Sequence, residues 1–329
     1  MPNRQRKLVV SLLLPSHIPR WRSVLLGLLL ATLPALAQDT GDSAAHAGLS
    51  AYRPPVSGVH GLVTSANPLA SAAGFRILEQ GGTVADAALA IAATLTVVEP
   101  QSSGLGGNGY TMLFDKQRGQ LHSLAMHGAA PLAVQPKQMT KDTLDYGMQA
   151  STTPGVLGGL IELLDRHGKL SLQQVLAPAL SYARDGHPAN RSLVASIQRQ
   201  EAQIRRFPST AAVFLPGGKP LEVGERFRQP QLAATLQKLI DAEQGALRKG
   251  ASRSQALKAA YDRFYRGEIA QEIEAFFKRE GGLISQRDLA AYHPQWAAPL
   301  HTTYRGYDIY ANPSVTRGGI EVLMQLNLI

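Results

Sequence analysis

The chain has 329 residues, enough for one large domain or two smaller ones, and its 44% hydrophobic content is that of a globular protein rather than a membrane bundle. The formal charge is +9, but residues 1–37 carry five of the bases and no acid. Without them 28 basic residues face 24 acidic ones, a balance of +4 that offers little to nucleic acid. There is no cysteine, which excludes thiolate catalysis, cysteine metal sites and disulfides.

In chain order, Arg4, Arg6, Lys7, Arg20 and Arg22 precede an apolar run from Val24 to Leu36, and Ala35-Leu36-Ala37 has the small-x-small cleavage pattern. Residues 1–37 therefore read as a signal peptide, with Gln38 as the first mature residue and a periplasmic or extracellular destination. The run is shorter than the about 20 apolar residues of a membrane span, so no stable membrane insertion is expected. An uncleaved anchor is the alternative. Residues 38–57 are small, polar and Pro-bearing and read as a flexible leader. The domain is expected over residues 58–329.

Val59 to Thr64 reads as a short strand. Asn67-Pro68 supplies an N-cap and a proline at the first helical position; Leu69, Ala73 and Ile77 give an apolar stripe that Gly81-Gly82 ends. Thr83 and Asp86 form a capping box before a run, Ala87 to Val98, that is apolar nearly all round and so predicts a helix buried on most sides, ending at Glu99-Pro100. A glycine-rich loop, Gln101 to Gly109, leads into a hairpin of Tyr110–Phe114 and Gln120–Met126. Helices are predicted over Val156–Arg166, from Ser171 to Arg184, and over Leu232–Ile240, Ser254–Tyr265 and Ala270–Lys278. Leu193–Arg206 reads as polar and exposed. Ser285 and Asp288, like Ser171 and Gln174 earlier, make a capping box, here before Leu289–Tyr292, and strands close the chain at Leu300–Tyr304 and Tyr307–Tyr310. This order predicts helices packed on a sheet, an α+β architecture.

The glycines of the loop (Gly104, Gly106, Gly107, Gly109) permit either a row of backbone amides holding an anion or a tight helix-to-strand turn under close backbone contact. No Gly-Lys-Ser/Thr follows, which excludes a Walker phosphate loop. His127, at the end of the hairpin, is a candidate to bind a substrate carboxylate or shuttle protons; the alternative is a solvated histidine at a strand end. Asp86 and Glu99 could work as paired carboxylates, but both occupy helix-end positions that favour a structural role. The nine histidines are scattered without metal-ligand spacing, no Gly-x-Ser-x-Gly elbow occurs, and no catalytic residue, metal or cofactor is assigned.

The stretch from Gly61 to Pro131, with TSANPLASAAGFRILEQGGTVADAALA and EPQSSGLGGNGYTMLFD, resembles the opening of the γ-glutamyltransferases, N-terminal-nucleophile enzymes made as one precursor. Further segments resemble that family in order: Thr153-Pro154-Gly155 with Gly158-Gly159-Leu160 is similar to V-P-G-x-x-x-G-L. Phe264 to Ala270 is similar to F-Y-x-G-x-I-A, Gly281 to Tyr292 to G-G-x-x-x-x-x-D-L-A-x-Y, and Tyr304-Arg305-Gly306-Tyr307 to Y-R-G-Y. The resemblance implies the large-subunit portion of a four-layer αββα sandwich and glutamyl transfer or hydrolysis on glutathione-like substrates. It places the nucleophilic threonine in a small subunit beyond Ile329. Residues 1–329 alone are then expected to be inactive and to need that partner. Where the family has Arg-x-x-Ala-Pro, with arginine holding the substrate α-carboxylate, this chain has His127-Gly128-Ala129-Ala130-Pro131. Histidine cannot make a bidentate, permanently charged clamp, so a related acylase or amidohydrolase is an alternative. A non-catalytic exported binding protein of this fold is another.

Overall fold

A computed structural model describes residues 56–313 and 317–329; the expected signal peptide and nearly all of the leader lie outside the described residues. Contacts divide the chain into Met1–Gly58 and Val59–Ile329, and the second unit is described here. No helix among the described residues is long and apolar enough to cross a membrane.

Helices α1 (Pro68–Glu79) and α2 (Val84–Val98) start where the capping residues require. Asn67 accepts from Leu69 N–H, and Thr83 and Asp86 close a reciprocal capping box. Helix α2 is buried nearly all round and packs against α1, α4 (Val156–His167) and α5 (Leu172–Asp185). The expected strand over Val59–Thr64 does not form. The segment is coil, with Val59 and Leu62 exposed, and no described strand pairs with it; a strand without a partner leaves its backbone groups to water.

Strands β1 (Gly109–Asp115) and β2 (Gln120–Met126) pair antiparallel, Gly109 opposite Met126 and Asp115 opposite Gln120. Strand β5 (Gln295–Ala297) adds to the far edge of β2, a three-residue element too short to carry a strand pattern of its own. Helix α4 packs on β2, while Trp296 of β5 donates to Glu162 of α4 at 2.9 Å. Strands β6 (Leu300–Tyr304) and β7 (Tyr307–Ala311) form a separate hairpin. Its two turn residues, Arg305 and Gly306, have φ of 50° and 84°, the conformation that a two-residue hairpin demands. Ser123 of β2 reaches Asn312 at 3.0 Å and ties this hairpin to the main sheet.

Between β2 and α4 lies the short helix α3 (Lys141–Asp145). The segment expected to be polar and exposed, Leu193–Arg206, forms helices α6 (Arg191–Arg199) and α7 (Glu201–Arg205). Leu193, Val194 and Ile197 are buried against Leu215, Leu221 and Phe227 in a second, small core that also involves α8 (Pro208–Phe214). The apolar residues there fall on one face at helical spacing, a pattern hidden by the surrounding arginines and glutamines. Strands β3 (His187–Pro188) and β4 (Arg226–Phe227) pair at its edge.

The remaining helices are α9 (Pro230–Arg248), α10 (Arg253–Tyr265), α11 (Glu268–Arg279), α12 (Gln286–Ala291) and α13 (Arg317–Leu328). Helix α9 runs eight residues beyond its expected end at Ile240, since Glu243 on that extension accepts from the Leu172 and Gln173 N–H groups at 2.6 and 3.0 Å. The Glu243 side-chain carboxylate thus caps a neighbouring helix. The architecture is α+β, with the main core between α2, α4, α5, α9 and α10.

Candidate functional site

His127 lies one residue past the end of β2 and lines a cavity of 350 Å³. Its Nε2 is 2.6 Å from the Tyr110 hydroxyl, the rings meet edge to face at 4.3 Å, and its Nδ1 is buried with no partner among the described residues. Burial pushes its pKa below the ordinary histidine value, so the ring is neutral at pH 7. The solvated alternative does not describe this side chain.

Three loops build the surroundings. The segment after His127 is held by Thr153 N–H, which donates to the Ala129 carbonyl at 3.1 Å, and by Asp288 Oδ1, which accepts from Leu132 N–H at 2.8 Å. A side chain at position 128 would put Cβ 2.0 Å from the Thr153 carbonyl oxygen, and one at position 155 would put it 2.4 Å from the Met126 oxygen. Glycine is required at both, because backbone passes against backbone.

The turn at Pro154-Gly155 is pinned in turn by three stacked tyrosines. The Tyr265 hydroxyl donates to the Pro154 carbonyl and accepts from Gly158 N–H, both at 3.0 Å; Tyr292 donates to the Gly155 carbonyl at 2.7 Å, and Tyr261 donates to the Tyr292 carbonyl. Burial raises all three phenol pKa values, that of Tyr261 to about 12, so they remain donors at any physiological pH.

The glycine-rich loop has a structural role. Gly107 offers its carbonyl to the N–H groups of Gly155 and Val156 at 3.1 and 3.0 Å, and Leu105 to that of Leu157 at 3.3 Å. The loop is the cap of α4, whose own N-cap residue, Gly155, has no side chain to do it.

Asp86 and Glu99 do not form a pair. They flank α2, about 20 Å apart by helical rise. Asp86 is wholly buried and accepts from Thr83 N–H, the Thr83 hydroxyl, Lys169 N–H and Leu170 N–H, while Glu99 accepts from Asn67 Nδ2 at 3.4 Å. Asp288 is the acid that faces the cavity. Burial raises its pKa, but the hydrogen bonds from the Ser285 hydroxyl, Leu132 N–H and Ser285 N–H outweigh that and hold it below the ordinary value, so it is ionised at pH 7. Its capping role was legible in the sequence; its reach to Leu132, like the grip of Tyr265 and Tyr292, was not. Among the described residues no group of three or more His, Asp or Glu could hold a metal ion.

The sequence profile of the family described as Gamma-glutamyltranspeptidase matches residues 70–329. The chain is 32% identical over 284 residues to the glutathione hydrolase proenzyme of Escherichia coli (strain K12), covering 84% of this chain and 46% of that protein. It is 34% identical over 295 residues to the acylase ACY 1 proenzyme of Pseudomonas sp. (strain SE83), covering 86% and 50% respectively. The chain thus spans about half the length of these relatives. Its structure is similar to that of Helicobacter pylori gamma-glutamyltranspeptidase, with a TM-score of 0.75 at 28% identity over 84% of this chain and 76% of that one. The expected fold, the large-subunit portion of an N-terminal-nucleophile hydrolase, is in agreement with that likeness.

Proposed function

This chain belongs to the gamma-glutamyltranspeptidase family, and from that premise we propose that it is the large-subunit part of a proenzyme that transfers or hydrolyses γ-glutamyl or related acyl groups held in amide linkage. One observation carries this reading: the likeness to proenzymes of about twice this length runs through nearly the whole described chain.

In the proposed reaction a threonine hydroxyl from the small subunit attacks the substrate carbonyl. Its oxygen bonds to the acyl carbon, its proton passes through the threonine α-amine to the leaving amine, and the C–N bond breaks. Water or an acceptor amine then takes the acyl group and frees the threonine. His127 binds the substrate's acyl end. The partner's docking is supported by apolar side chains left open, among them Phe114 on β1 and Ile320 and Met324 on α13. The signal-like segment 1–37 supports export, cleavage after Ala37 and a periplasmic or extracellular site of action. A second reading, an acylase acting on a different acyl group, is favoured by histidine in place of arginine and by the likeness to acylase ACY 1.

The test is to express the full-length coding region and follow self-cleavage by mass spectrometry together with p-nitroaniline release from γ-glutamyl and other acyl anilides. A cut that exposes an N-terminal threonine, with anilide turnover, is expected. A protein that neither cuts itself nor releases p-nitroaniline from any anilide sinks the proposal.

A further inference from the structure

We propose that the cavity beside His127 takes an uncharged acyl group, so that the preferred donor is a neutral acyl amide and not one bearing an α-carboxylate. This rests on the preceding reading that His127 faces the acyl end of an amide substrate.

The argument is one of charge. An anionic group leaving water for a confined site needs a cation or several donors in return; without them the desolvation cost is several kcal/mol. None of the described residues lining this cavity is lysine or arginine; its basic side chains are two histidines, His127 and the exposed His293. Burial of His127 favours its neutral form, and one of its ring nitrogens is already engaged by Tyr110. The formal charge on the wall belongs to Asp288, and it is negative. A bound carboxylate would meet like charge where the family pattern supplies opposite charge, and like charge disfavours binding on top of the desolvation cost.

The rest of the wall suits an apolar group. Ala129, Ala130 and Leu132 form one side, and the Leu132 side chain is 66% exposed beside the cavity. Covering such a side chain with an aliphatic or aromatic acyl chain stabilises the complex by about 25 cal/mol per Å² of apolar surface removed from water. A volume of 350 Å³ is within the range of small-molecule sites. Apolar alanine and leucine walls, the absence of lysine and arginine from the described lining and a fixed negative charge together select against an anion.

The closing experiment uses the full-length protein and two p-nitroanilides of similar length, γ-glutamyl and pentanoyl. The expected result is a kcat/KM for the pentanoyl anilide at least about tenfold above that for the γ-glutamyl anilide, with H127R moving the ratio at least about tenfold toward γ-glutamyl. The wild-type ratio decides by itself, so a poorly folded H127R does not rescue the proposal. A wild-type ratio under tenfold, or one favouring γ-glutamyl, overturns this inference and leaves the family reaction standing. Turnover of neither anilide, with no self-cleavage, overturns both.

Discussion

The Tyr292 hydroxyl donates to the carbonyl of Gly155 at 2.7 Å, joining residues 137 positions apart. Gly155 passes so close to Met126 and His127 that it admits no side chain, so this one bond fixes the far side of the backbone from which His127 projects. Replacing Tyr292 by Phe removes one of two hydrogen bonds to that carbonyl, the other coming from Gly159 N–H, and is expected to cost about 0.5–1.5 kcal/mol. Tyr265→Phe removes both a donor and an acceptor at the same turn and is expected to cost at least as much. Urea unfolding of the two variants checks this; midpoints equal to wild type would show that the tyrosines do not hold the turn.

Gly128→Ala puts a methyl group 2.0 Å from the Thr153 carbonyl oxygen. Backbone must move, so a loss of about 1–3 kcal/mol or more is expected, along with a change in the environment of the adjacent His127. Gly104→Ala, where Cβ meets nothing within 4 Å, is expected to be close to neutral. Thermal melts of the pair make the comparison, and equal losses would refute it.

Asp86 is wholly buried and serves donors on two elements, at the start of α2 and before α5. Asp86→Ala strands those donors and is expected to cost about 2–4 kcal/mol. Asp86→Asn keeps the shape and part of the acceptance, so its cost should be smaller. A chemical-denaturation series reads both, and an Ala variant as stable as wild type would contradict the structural role.

His187 is 3% exposed, with Nδ1 3.2 Å from the Pro188 carbonyl and Nε2 3.3 Å from that of Val97. Burial lowers its pKa from the ordinary 6.5, and the two carbonyl contacts offset only part of that. The folded state therefore takes up the proton at lower pH than the unfolded chain. Its contribution to stability is fully present above pH 6.5 and is lost as pH falls from there through the folded value. Urea midpoints should fall between pH 7.5 and 5.5, and the fall should be smaller in His187→Gln. A pH dependence unchanged by that substitution would remove His187 as its source.

His127 titrates below 6.5 because burial disfavours its charged form. An NMR titration of its ring should place the midpoint below that value, and Tyr110→Phe, which removes the 2.6 Å contact, should change the ring's chemical shifts. A midpoint at or above 6.5 would contradict a neutral histidine in the cavity.

Local rules made much of the fold legible. Asn67, Thr83, Ser171 and Ser285 each cap the helix that the sequence places after them, and the β1–β2 hairpin falls within a residue of its expected limits. The same rules missed whatever depends on distant partners. Val59–Thr64 has strand-like residues but nothing to pair with, whereas Gln295–Ala297, too short to notice, becomes a strand because β2 offers it an edge. Leu193–Ile197 looks polar by composition and is buried because Phe227 and Leu221 come to meet it.

The site divides in the same way. The sequence by itself determined that Asp86 and Asp288 cap helices and that no cysteine chemistry is available, since these follow from residue type and spacing. Only the tertiary structure decided that the glycine-rich loop caps α4 with its carbonyls, that Asp288 turns its second oxygen to Leu132, and that His127 is neutral against Tyr110 in a cavity with no lysine or arginine among its described lining residues. Charge state and ligand preference depend on burial and on which groups meet across 17 to 156 positions of chain, and neither is a property of any local stretch.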